Sequence, residues 1–116
     1  LISKRVKAND QDIDGQTALF STRSPNVVEY LVKKGLNINH IDKKNRSTIE
    51  EDMWQILDAL RFDYDAQDDF IPKFKTLMKL GIDRKLVRNA YDMAISSQRS
   101  DAIPKVMNCI KTYAGK

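Results

Sequence analysis

Cysteine and histidine are almost missing from this chain: Cys109 and His40 each stand alone among 116 residues. A single thiol excludes an intrachain disulfide and fits a reducing compartment. One cysteine and one histidine cannot build the Cys/His clusters that hold structural zinc. A Cys109–His40 catalytic pair would need the fold to join distant positions, and a turn histidine with a half-buried thiol is the simpler reading. No apolar run approaches the roughly 20 residues of a membrane helix. The opening stretch LISKRVKAND has no extended apolar segment, so no signal peptide is expected and a cytoplasmic location is. The first residue is not Met, and the opening reads as the tail of a helix, which predicts a piece of a longer protein.

Enzyme signatures are also lacking. There is no GxxxxGKS/T, GxGxxG, GxSxG or HExxH. Carboxylates are plentiful, yet none sits in an apolar context that suggests a raised pKa. Asp92, within AYDMA, comes nearest. The expectation is therefore no enzyme, no catalytic residue, no cofactor and no metal.

What is present is ordinary in amount and unusual in order. Hydrophobic residues make up 41% and charged residues 31%, a soluble balance for one domain with a modest core. Residues 1–46 carry nine Lys/Arg and five Asp/Glu; 47–69 carry one Arg and eight acids; 70–116 carry ten basic groups and three acids. An anionic block between two cationic ones argues against a generic nucleic-acid binder.

The chain also repeats itself at an offset of thirty. Leu1 meets Leu31, Ile2 meets Val32, Val6 meets Leu36, Asn9 meets Asn39 and Asp12 meets Asp42. Gly15 meets Asn45, Thr17 meets Ser47 and Leu19 meets Ile49. Gly and Asn most readily take the left-handed backbone of a tight turn. Thr and Ser both cap helix starts. Between these turn signals, SPNVVEYLVKKG (24–35) predicts a helix. Ser24 is its N-cap, Pro25 its first residue, Val27, Val28, Leu31 and Val32 its apolar stripe, and Gly35 its C-terminal stop. LNINHIDKKN then reads as a hairpin-like connector.

Further on, STIEEDMWQILDALR predicts a helix with a Ser47/Glu50 capping box and a stripe of Ile49, Met53, Ile56, Leu57 and Leu60. The linker FDYDAQ precedes a helix over DDFIPKFKTLMKLG, ending at Gly81. Residues 87–116 hold a last helix pair, with Ile103, Val106 and Met107 facing inward. Pro25, Pro72 and Pro104 each fall near the start of a proposed second helix.

The segment DIDGQTALF followed by NVVEYLVKKGLNIN resembles an ankyrin repeat, whose unit of about 33 residues carries a T-P-L-H-x-A signature. The residues that match are Asp12, Gly15, Thr17, Ala18, Leu19, Val27, Val28, Leu31, Val32, Gly35 and Asn39, with Phe20 in place of the usual His. The first helix of this unit is about three residues short. NAYDMA (89–94) resembles the same signature, with Asn89 in the Thr place and Tyr91 in the Leu place. Arg5 stands where a Gly is typical.

The resemblance implies an all-α ankyrin-repeat solenoid of about three stacked helix-turn-helix repeats in one domain, degenerate in the middle and truncated at its N-terminus. Residues 1–11 would end a preceding repeat. The chain would continue with repeats over 12–41, 42–86 (extended first helix and insertion) and 87–116, the last being a cap with the polar ending KTYAGK.

The resemblance further implies a protein-binding concave side made of connector tips and first helices. Carried over, the contacts are Ile13, Asp14, Gln16, Lys43, Lys44 and Arg46 from the tips, and Phe20, Glu50, Glu51 and Trp54 from the first helices. Phe20 has a core role as its other reading. Trp54 is read first as core and second as a partner anchor. The acidic stretch 50–69 is read mainly as a surface insertion balancing Lys73, Lys75 and Lys79, with docking of a basic partner protein as the alternative. Two further readings are an inhibitor or immunity-type protein blocking a basic enzyme, and a nucleic-acid-associated helical domain using 70–116.

Overall fold

The computed structural model describes residues 9–59 and 66–114. Among them are five α-helices and no strand. The helices are α1 (Pro25–Lys33), α2 (Thr48–Ala59), α3 (Ala66–Lys79), α4 (Arg84–Ser96) and α5 (Pro104–Ala114). Short 3-10 turns cover Ala18–Phe20 and Ser100–Ala102.

Local chemistry sets the helix ends. Ser24 Oγ accepts the Val27 N–H at 3.4 Å and Pro25 opens α1. α1 closes on Gly35, at φ 99°. Leu36 N–H reaches the Leu31 carbonyl and Gly35 N–H reaches Val32, each at 3.0 Å. The same pair of bonds closes α3, from Ile82 to Leu77 (3.0 Å) and from Gly81 to Met78 (3.2 Å). This is the Schellman arrangement, and its accompanying apolar contact pairs buried Leu36 with Leu31 and Ile82 with Leu77.

At the start of α2 the expected capping box is present. Ser47 Oγ accepts the Glu50 N–H at 3.3 Å, and Glu50 Oε1 accepts the Ser47 N–H at 3.2 Å and its hydroxyl at 2.9 Å. Ser47 is fully buried. Truncating it to Ala is expected to cost about 1 kcal/mol of unfolding free energy, measurable by urea denaturation. An unchanged midpoint would mean that the box does not hold the helix.

The helices form two layers. The turn Ala18–Phe20, α2 and α4 lie side by side, with α2 in the middle; α1, α3 and α5 do the same behind them, with α3 in the middle. Each front element also packs on the helix that follows it. Between the layers, Ile49, Met53, Ile56, Phe74, Leu77, Val87, Ala90, Ala94, Ile103, Val106 and Ile110 are at 0% exposure. Each large side chain among them contributes about 1.5–3 kcal/mol by leaving water.

Several boundaries differ from the sequence expectation. α4 starts at Arg84, capped by Asp83, so a unit boundary at 87 would cut a helix. α3 starts at Ala66, inside the expected linker, so Pro72 is interior to α3 and not at its start. Pro25 and Pro104 do open their helices. The shortened first helix is a single 3-10 turn. Met107 is only partly buried. The pairings of Leu1, Ile2 and Val6, the place of Arg5, Leu60 in the stripe and most of the linker lie outside the described residues, as does the end of KTYAGK.

Candidate partner-binding surface

Two loops with the same internal wiring stand at one edge of the front layer. Asp12 Oδ1 accepts the N–H groups of Asp14 and Gln16, both at 2.9 Å. Thirty residues on, Asp42 Oδ1 accepts those of Lys44 (2.9 Å) and Arg46 (3.0 Å). Asp12 N–H reaches the Gln16 carbonyl and Asp42 N–H the Arg46 carbonyl, both at 2.9 Å. Gly15 (φ 76°) and Asn45 (φ 65°) supply the left-handed residue of each turn. A short carboxylate that bonds its own backbone, followed by a residue tolerant of positive φ, is how such a tip folds without help from elsewhere.

The tips are joined to each other. Lys43 N–H donates to the Asp14 carbonyl (3.1 Å) and its Nζ to the Ile13 carbonyl (2.8 Å). Gln16 Nε2 donates to Asp42 Oδ2 at 3.0 Å. His40 Nε2–H donates to the Gly15 carbonyl (2.7 Å), which sets its tautomer, and its ring meets Phe20 edge to face. Burial pushes the Asp42 carboxyl up, but the bonds from Gln16, Arg46 and Lys44 outweigh it and hold its pKa below the usual value. With their backbones satisfied, the tips leave Ile13 (85% exposed), Asp14 and Lys44 on the surface, while Lys43, also exposed, folds its ammonium back onto the neighbouring tip.

Two asparagines repeat behind the tips. Asn9 Oδ1 accepts the Asn37 N–H (2.7 Å) and its amide donates to the Gly35 carbonyl (2.9 Å). Asn39 Oδ1 accepts the Asp83 N–H (2.8 Å). Each asparagine grips the connector that follows the next back-layer helix.

Beside the tips, the exposed face of α2 carries Trp54, 44% exposed. The Arg46 guanidinium lies 5.5 Å from a Trp54 ring centroid and 3.3 Å from Glu51 Oε1. Between α2 and α4 runs a groove of about 250 Å³ lined by Trp54, Leu57, Asp58, Met93, Ser97 and Arg99. Arg99 Nη1 donates to the Leu57 carbonyl at 3.1 Å, tying the connector after α4 to α2.

The sequence-derived residues divide between surface and interior. Ile13, Asp14, Lys43, Lys44 and Trp54 are exposed, and Gln16 and Arg46 are half-buried. The core reading of Trp54 is thus corrected. Phe20 (4%), Glu50 (8%) and Glu51 (8%) are corrected the other way, since they are largely inaccessible. Phe20 is buried with its ring against His40, Glu50 belongs to the capping box, and Glu51 holds Arg46 and accepts from Gln55 Nε2 at 3.4 Å. Asp58, Met93 and Arg99 went unnoticed. Asp58 lies one turn beyond Trp54 and could have been found by that spacing; the Arg99 contact crosses 42 residues and leaves no local signal.

The acidic block is mostly matched within the chain. Arg23 meets Asp69 (3.4 Å), Lys105 meets Asp68 (3.3 Å) and Arg46 meets Glu51. Of the three lysines expected to balance the block, Lys73 does so and Lys79 pairs with Glu29 instead (3.6 Å). The exposed pairs are worth little, about 0–1 kcal/mol each.

The Asp52–Lys73 pair is different. Both side chains are at about zero exposure, with Lys73 Nζ 2.7 Å from Asp52 Oδ2 and 2.7 Å from the Leu19 carbonyl. Thr48 Oγ1 donates to the same carbonyl at 3.2 Å. Asp52 Oδ1 has no hydrogen-bond partner among the described residues. Burial lifts the Asp52 carboxyl to about 6, against the opposing pull of Lys73, and lowers the Lys73 pKa. Asp92, the carboxylate that the sequence singled out, is exposed. The Asp52–Lys73 pair is enclosed between α2 and α3.

Comparison with protein-family models, with curated proteins and with solved structures found no match.

Proposed function

We propose that this chain is a non-enzymatic protein-interaction module of the ankyrin type. It binds a partner protein through the tips 12–16 and 42–46 and the adjoining faces of α2 and α4. The observation that carries the reading is the pair of identically wired tips thirty residues apart. Their backbones are bonded internally and Lys43 ties them together, so Ile13, Asp14 and Lys44 are left as exposed side chains on a rigid edge beside Trp54. Rigid presentation limits the ordering cost of binding, and an exposed Trp is the side chain type that anchors interfaces.

The layered order of front and back helices supports the same reading, because such stacks leave an open face next to their loops. A basic docking partner held by Glu50, Glu51 and Asp52 is disfavoured, since all three are engaged inside the fold. Neutralising them would test folding and not docking.

Selection of a phage-displayed peptide library against the immobilised chain tests the proposal. Selected peptides should lose about tenfold or more in affinity on Ile13→Glu or Trp54→Ala, while melting temperatures stay within a few degrees. Binding that survives both changes and is lost instead on Tyr30→Ala, on the back layer, would refute it.

A further inference from the structure

We propose that the α2–α4 groove receives one long basic side chain of the partner, its cationic head on Asp58 and its aliphatic stem along Leu57, Met93 and the Trp54 indole. This rests on the protein-binding reading above and names the chemistry recognised at one point of that surface.

Asp58 is the exception within its block. Of the described carboxylates between 50 and 69, Glu50 serves the cap, and Glu51, Asp52, Asp68 and Asp69 face Arg46, Lys73, Lys105 and Arg23. Asp58 has neither a cap role nor a cation within 4 Å among the described residues, and it is exposed. Arg99 lines the same groove but makes no ion pair among the described residues, its Nη1 being held on the Leu57 carbonyl. An incoming ammonium or guanidinium would supply Asp58 with the cation it lacks there.

The rest of the groove suits the stem of such a side chain. Leu57, Met93 and the indole provide an apolar trough, and Lys and Arg cover apolar surface with their methylenes while keeping the head in water. About 250 Å³ falls below the roughly 300–1,000 Å³ of pockets that enclose drug-sized ligands, so the groove holds one side chain and not a cofactor. The Trp54 ring already has one guanidinium, Arg46, at 5.5 Å, and indole is the best aromatic surface for a cation.

The test is an NMR titration of the ¹⁵N-labelled chain with four blocked tripeptides, Gly-X-Gly, where X is Lys, Arg, norleucine or Glu. The Lys and Arg peptides should shift the Trp54 indole N–H and the Met93 and Ser97 amides, binding about fivefold more tightly than norleucine. Asp58→Asn, at an exposed position that folding does not depend on, should erase that difference. Raising salt from about 50 to 500 mM should shrink it. Equal response to Lys and norleucine, a stronger response to Glu, or no shift at these positions overturns the inference. The outcome is separable from the broader reading. If phage peptides still depend on Ile13 and Trp54 while Asp58→Asn changes nothing, only the basic-side-chain claim fails. If they ignore the tips and Trp54, the binding surface itself is wrong.

Discussion

Lys73→Met is expected to cost about 3–5 kcal/mol of stability at pH 7, the usual penalty for leaving one half of a buried ion pair behind. Asp52 would keep its place at 1% exposure with neither oxygen matched, and the Leu19 carbonyl would keep only Thr48. Asp52→Leu together with Lys73→Met should recover most of that loss and could exceed the wild type by about 1–4 kcal/mol, because apolar packing replaces two desolvated charges. Urea denaturation of the two single variants and the double variant at one pH gives the coupling directly. A double variant as unstable as the worse single one would show that the pair is not a self-contained unit.

pH adds a signed check. The folded pKa of Asp52, about 6, lies above its ordinary 3.8. The fold therefore holds this proton more tightly than the unfolded chain does. Stability from this group is fully present below the unfolded value and is lost as pH rises toward about 6. The lowered pKa of Lys73 acts oppositely at the alkaline end, where stability rises with pH. Between those windows the pair is charged and least favourable. The wild-type stability curve should thus slope down from pH 4 to 6 after correction for Asp42, whose lowered pKa works in the reverse sense. In the double variant the slope from Asp52 disappears.

Gly15→Ala should be the second large effect, about 2 kcal/mol, combining a left-handed φ that L-residues resist with a blocked Cβ. The added carbon would stand 2.9 Å from Lys43 Cγ and 3.0 Å from its backbone nitrogen. A lysine side chain can swing away; the nitrogen cannot, since it carries the bond to Asp14 that joins the tips. Asn45→Gly tests the same backbone conformation at the second tip, where relief of a positive φ should make the change neutral or mildly stabilising. Thermal unfolding of both variants decides it. Destabilisation by Asn45→Gly as large as that by Gly15→Ala would mean that relief of a positive φ does not govern the second tip.

Much of this architecture is written locally. Ser24, Pro25 and Gly35 end α1 by chemistry within a few residues, and Asp12 with Gly15 announces the turn that Asp42 and Asn45 repeat. Trp54 reads first as core, although the stripe of Ile49, Met53, Ile56 and Leu57 passes it by and so signals its exposure. The front-facing acids are not legible. Three consecutive carboxylates look like solvent-facing charge, yet their fate depends on partners outside the helix. Lys73 illustrates the limit best: its ammonium is buried because a carbonyl 54 residues earlier waits for it, and no window of sequence contains both. The groove on α2 and α4 fails to announce itself for the same reason, being defined by which turn of one helix faces which turn of the other.

Asn9 and Asn39 have a mechanical meaning. On the loop side they rivet each connector to the next, and the helical side has rivets of its own: Lys73 and Thr48 on the Leu19 carbonyl and Arg99 on the Leu57 carbonyl. Pinned at both margins by directional bonds, neighbouring layers resist shear that apolar packing alone would permit.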